Sequence, residues 1–108
     1  MTAREMYDFF NGQVAWYQKQ IEFENGQIAF CNHELKRTRK EDKELKEYAL
    51  SARPNDRITL EIYGGNYIGR ETRKYINERA RRYRAIKYDE KQIAYYRKQA
   101  EEMEKYIG

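Results

Sequence analysis

The residues best suited to chemistry lie between Arg70 and Lys87. Eight cations, Arg70, Arg73, Lys74, Arg79, Arg81, Arg82, Arg84 and Lys87, face only Glu71 and Glu78, a net of +6 in a chain whose total is +4. Arg70, Arg73, Lys74, Asn77, Arg81 and Arg84 recur at helical spacing along one flank, with Tyr75, Tyr83 and Tyr88 interleaved. A guanidinium offers paired planar donors to phosphate, and a phenol ring offers a stacking face to a base. The pattern predicts a helix that contacts nucleic acid or a phosphate-bearing nucleotide through Arg70, Arg73, Lys74, Tyr75, Arg81, Tyr83 and Arg84. The competing use is structural, because long basic side chains cover apolar seams with their stems. Six arginines in the fifteen residues from Arg70 to Arg84 exceed what seam coverage needs. An acidic or nucleoprotein partner fits the same surface.

Other chemistry is poorly supplied. Cys31 is the single cysteine and His33 the single histidine, so no disulfide, zinc cluster or histidine-based dyad can be assembled within the chain. Cys31 falls on an apolar seam, where a buried, inert thiol is expected. Glu22, Glu24, Glu101, Glu102 and Glu104 lack the Glu-x-x-His spacing of a di-iron bundle. No phosphate loop follows a strand. The expectation is a non-enzymatic protein with neither metal nor cofactor. Gly64-Gly65-Asn66-Tyr67, ahead of the basic segment, is a place where a helix N-terminus could admit an anion, though a turn is a sufficient explanation on its own and the favoured one.

The elements that would position these residues are helical. Tyr7, Val14, Ile21, Ile28 and Leu35 are seven apart, and Phe10, Tyr17, Cys31 and Leu45 fall on the second seam position, interrupted by Glu24 and Thr38. Thr2-Ala3-Arg4-Glu5 fits a capping box. One long helix from about Thr2 to Leu50 is expected. Asn11-Gly12 and Asn25-Gly26 are turn signals, yet the heptad phase runs through both, so a bend or break at Gly26 is the alternative. Beyond Leu35 the seam thins among charges and reads as solvated.

A second stripe, Phe9, Trp16, Phe23 and Phe30, is also seven apart and lies about 100° around the helix from the second seam position. Apolar residues on two sides need neighbours on two sides. The stripe predicts self-association, with a dimer as first choice, through Phe9, Trp16, Phe23 and Phe30. Gln13-Val14-Ala15-Trp16-Tyr17 is echoed at residues 27–31 and 92–96, as expected of one packing solution used three times.

Pro54 ends the first helix. Ile58-Thr59-Leu60-Glu61-Ile62-Tyr63 alternates and reads as a short strand, with Tyr67-Ile68 as its return. The rival is a short helix capped at Asn55 and stopped by Gly64-Gly65. Helix resumes near Gly69 or Arg70, with Ile68, Tyr75 or Ile76, Ala80, Tyr83 and Ile86 as its apolar face. Asp89-Glu90-Lys91-Gln92 resembles another capping box, so a kink near Tyr88 is plausible. Ile86, Ile93, Ala100 and Ile107, with Tyr96 and Met103, continue the seam. The predicted fold is mainly α. It is a long antiparallel helical hairpin or small bundle with coiled-coil-like seams and a short β-hairpin or turn element at 57–69, in one domain spanning 1–108.

Charged residues are 37% of the chain and mean hydropathy is −1.19. No run approaches the ~20 apolar residues of a membrane span, and no signal peptide is visible, so a cytoplasmic protein without membrane contact is expected. A compact, tyrosine-rich, charged chain without a catalytic set resembles in style small phage or mobile-element proteins. Some of those inhibit bacterial immunity by blocking a nucleoprotein effector or sequestering a nucleotide signal. No motif ties it to one such family. The leading expectation is a helical module for nucleic acid or nucleotide. The alternative is an oligomeric protein-interaction module of that anti-defence type.

Overall fold

The computed structural model describes residues 1–107. Three helices, α1 (Ala3–Ala52), α2 (Arg57–Tyr63) and α3 (Arg70–Glu104), hold 86% of the described residues, and there is no strand among them. The mainly α hairpin expected from the seams is therefore the fold, and α1 and α3 pair antiparallel within each of two compact units.

The capping box starts α1. Glu5 N–H donates to Thr2 Oγ1 at 3.1 Å, and the Thr2 hydroxyl donates to Glu5 Oε1 at 3.1 Å. The helix then runs through Gly12 and Gly26 without a break. Each glycine costs about 1 kcal/mol in a helix interior, less than misaligning a seven-residue seam.

The strand expected at 58–63 is helix α2. The Asp56 carboxylate accepts from Thr59 N–H at 3.1 Å, and Gly64 N–H donates to Leu60 O at the other end. The rival helical reading was therefore nearer, with Asp56 rather than Asn55 as the cap. A lone hairpin would leave its edge groups unpaired, whereas helix satisfies them locally. α3 runs past Tyr88 without a break, because Asp89 faces the seam instead of capping a new start.

One unit comprises Met1–Ile28 and Arg81–Gly108. Val14, Ile28, Ile93 and Ala100 are its buried apolar residues, joined by buried Glu24 and Asp89. Phe10, Tyr17 and Tyr96 stack between the helices, with Phe10–Tyr96 centroids 6.1 Å and Tyr17–Tyr96 centroids 6.0 Å apart.

The other unit is Ala29–Ala80. Cys31, Leu35, Thr38, Thr59 and Thr72 are buried in it. Beyond Leu35, α1 is largely exposed, as expected, with Thr38 buried at 1% and Asp42, Lys46, Ala49 and Leu50 half-buried. Leu45, assigned to the seam, is 43% exposed instead. On α3 the expected apolar face is also shifted, with Ala80, Tyr83 and Ile68 exposed and Thr72 buried. Thr72 lies seven and fourteen residues before Arg79 and Ile86, both half-buried, so two polar residues, Thr72 and Arg79, extend the seam ahead of Ile86.

Candidate functional site

The aromatic stripe of α1 is outside the seam. In the unit built from both termini, Phe9, Trp16 and Phe23 are 50%, 53% and 53% exposed. Two of the stripe residues lean on seam residues. Phe9 meets Phe10 edge-on at 5.7 Å, and Trp16 meets Tyr17 at 4.8 Å. Tyr17 also meets Tyr88 at 6.5 Å, and Tyr95 meets Tyr96 at 5.1 Å. Seven rings, Phe9, Phe10, Trp16, Tyr17, Tyr88, Tyr95 and Tyr96, are thereby linked from interior to surface. Burial, with Tyr88 and Tyr96 close by, pushes the Tyr17 phenol above its ordinary titration range. Gly12 lies between Phe9 and Trp16, one turn from each, and nothing stands within 4 Å of where its Cβ would be. An open notch lined by Phe9, Gly12, Gln13, Trp16 and Tyr17 results.

Phe30, the fourth stripe residue, belongs to the other unit. It is 53% exposed and meets the Tyr75 ring edge-on at 6.1 Å.

The basic residues of α3 divide between those used in packing and those exposed at the surface. Arg82 is half-buried, with Nη1 donating to both oxygens of Glu24, the closer at 3.2 Å, and its guanidinium 5.6 Å above the Phe23 ring. Arg79 donates to Asn32 Oδ1 at 2.8 Å. These two cover the seam, as the structural use of the segment requires. Lys74 sits 5.4 Å over Tyr75, so that ring already has both a cation and an aromatic neighbour. Arg81 and Tyr83 are exposed on the terminal unit, as is Arg84, and Arg84 has no ion pair among the described residues. Arg70 and Arg73, in the central unit, are likewise exposed and without an ion pair among the described residues.

The buried charges were missed by sequence reading. Glu24 was taken as an interruption of the seam and Asp89 as a cap, yet both are 8% exposed. Burial first, and the Glu24 charge second, raise the Asp89 carboxyl above the usual carboxylate range. The clue in the sequence was position, since Glu24, Arg82 and Asp89 all fall in seam phase.

The anion site suggested at the Gly64–Tyr67 tip is filled by the protein itself. Asp42 Oδ2 accepts from Gly69 N–H at 3.0 Å and from the Thr72 hydroxyl at 2.6 Å, placing a carboxylate at the start of α3. Arg37 is saturated by Glu34, Glu41 and Glu71, which raise its pKa.

No group of three or more metal-ligating side chains occurs among the described residues, and no helix there is long and apolar enough to cross a membrane. Comparison with family models, curated proteins and solved structures finds no match to this chain.

Proposed function

We propose that this chain is a non-enzymatic helical interaction module that associates with a second copy of itself through the aromatic row Phe9, Trp16 and Phe23. The observation that carries the reading is the half-exposure of three large rings on one helix face, with the Gly12 notch between two of them. Large apolar side chains in a row mark association surfaces more often than solvent-facing ones do. A ring from a facing helix can enter a notch that has no Cβ, and two copies would satisfy one another reciprocally.

Light scattering across a concentration series tests this. A dimer that Trp16→Glu and Phe23→Glu dissociate, with helical circular dichroism unchanged, is the expected result. A monomer throughout the micromolar range overturns the reading.

A second reading rests on Arg70 and Arg73 of the Ala29–Ala80 unit, which remain exposed and without an ion pair among the described residues after Arg79 has been used in packing. These cations, with Lys74 and Tyr75 of the same unit, suit a phosphate-bearing partner such as a single-stranded nucleic acid. Oligonucleotide binding that falls steeply with salt, and that weakens in Arg73→Ala, supports it. Absence of binding at low salt removes it.

A further inference from the structure

The Ala29–Ala80 unit contains a cleft of about 280 Å³ between α1, the connection from α2, and the first turns of α3. Arg39, Lys43 and Lys46 line it at i, i+4 and i+7, one face of α1. Tyr67 and the aliphatic side chains of Ile68 and Ile76 supply apolar wall.

Asp42 is the one carboxylate among the residues that line the cleft, and three carboxylates of nearby turns are engaged elsewhere. Glu34, Glu41 and Glu71 all bind Arg37. Asp42 borders the cleft, but its carboxylate is held by Gly69 N–H and the Thr72 hydroxyl. Lys46 Nζ donates to Gly65 O at 2.7 Å and anchors the connection. Arg39 and Lys43 are left exposed, with no ion pair among the described residues. Tyr67 is half-buried and its ring is braced by Tyr63, centroids 4.8 Å apart, so an aromatic wall is ordered before any ligand arrives.

We infer that this cleft binds a small phosphate monoester bearing a planar ring, a nucleoside monophosphate in size, with Arg39 and Lys43 on the phosphate and Tyr67 against the ring. Two unpaired cations beside one engaged carboxylate call for a dianion rather than a carboxylate ligand. A volume of about 280 Å³ suits one nucleotide. The site is separate from the exposed flank of α3, because Arg70 and Arg73 do not line it.

The test is calorimetric titration of the full chain with AMP, with adenosine and inorganic phosphate in parallel. AMP should bind saturably and more weakly at higher salt, and each half-ligand should bind at least about tenfold more weakly, the loss of one good contact. Arg39→Ala with Lys43→Ala should weaken AMP binding by about tenfold or more. The same pair should leave the melting temperature of the free protein in place, because both side chains are exposed and unpaired. Tyr67→Leu should weaken AMP but not inorganic phosphate. Arg70→Ala with Arg73→Ala should change nothing. Three results overturn the inference: no saturable AMP binding, AMP binding no tighter than inorganic phosphate, or AMP binding that survives loss of Arg39 and Lys43.

Discussion

Asp42 on α1 and Thr72 on α3 are joined by a 2.6 Å hydrogen bond from the Thr72 hydroxyl to Asp42 Oδ2, the same oxygen that accepts from Gly69 N–H. One carboxylate from a distant helix thus caps α3 and fixes its docking on α1. Gly69 is required there, since a Cβ at that position would collide with the Asp42 carboxylate.

Asp42→Ala should therefore destabilise the protein by about 1–2 kcal/mol, the range of a lost cap whose donors become unpaired. Gly69→Ala should have a similar effect by pushing the carboxylate out. Chemical denaturation of both singles and the double should show non-additivity, because both changes break one contact.

Asp89 and Glu24 set a pH dependence. The Asp89 carboxyl is raised by burial and by the Glu24 charge, so the folded state holds this proton more tightly than the unfolded state does. Stability from this group is therefore present in acid. It declines as pH rises through the window between the ordinary carboxylate value and the raised one. Asp89→Asn should raise the melting temperature at neutral pH, and the gain should shrink in acid. Equal gains at both pH values would contradict the assignment.

Arg82 holds Glu24 within the seam and covers one face of Phe23. Arg82→Ala should cost about 2–3 kcal/mol, because it leaves a largely buried carboxylate without its partner. Arg84→Ala, exposed and without an ion pair among the described residues, should cost less than about 0.5 kcal/mol. Thermal melts of the pair separate seam arginines from surface arginines.

Thr38 is 1% exposed, and its hydroxyl has no hydrogen-bond partner among the described residues. Thr38→Val keeps the shape and removes a desolvated donor. A gain of about 1 kcal/mol in denaturant unfolding is expected.

Gly12 and Gly26 lie in helix with nothing within 4 Å of an added Cβ. Gly26→Ala and Gly12→Ala should each raise stability by up to about 1 kcal/mol. Gly12→Ala should in addition weaken self-association, since it fills the notch between Phe9 and Trp16. Melting temperature and light scattering on the same samples would show the two effects moving in opposite directions.

Local periodicity carried much of this protein. Val14, Ile28, Leu35, Ile93 and Ala100 are buried as their seven-residue spacing requires, and Phe9, Trp16, Phe23 and Phe30 are left outside the seam by the same geometry. The capping box at Thr2 and the buried Cys31 were equally legible, because each depends on residues a turn or two apart. What lay beyond the sequence was the identity of partners across helices. Ile58 to Tyr63 alternates like a strand but has no strand to pair with, so the Asp56 cap decides for helix. Glu24 and Thr38 read as interruptions of the seam, Asp89 as a cap and Arg82 as one of a basic run, until α1 and α3 come together and bury the first three against one another's helices, with Arg82 half-buried beside Glu24. Near the cleft of Arg39 and Lys43, Asp42 and Glu71 are drawn to partners 27 to 34 positions away, which no spacing along the chain records. Periodicity is a property of neighbours in sequence, whereas charge pairing and capping here join residues 27 to 58 positions apart, and only the packed helices bring them into range.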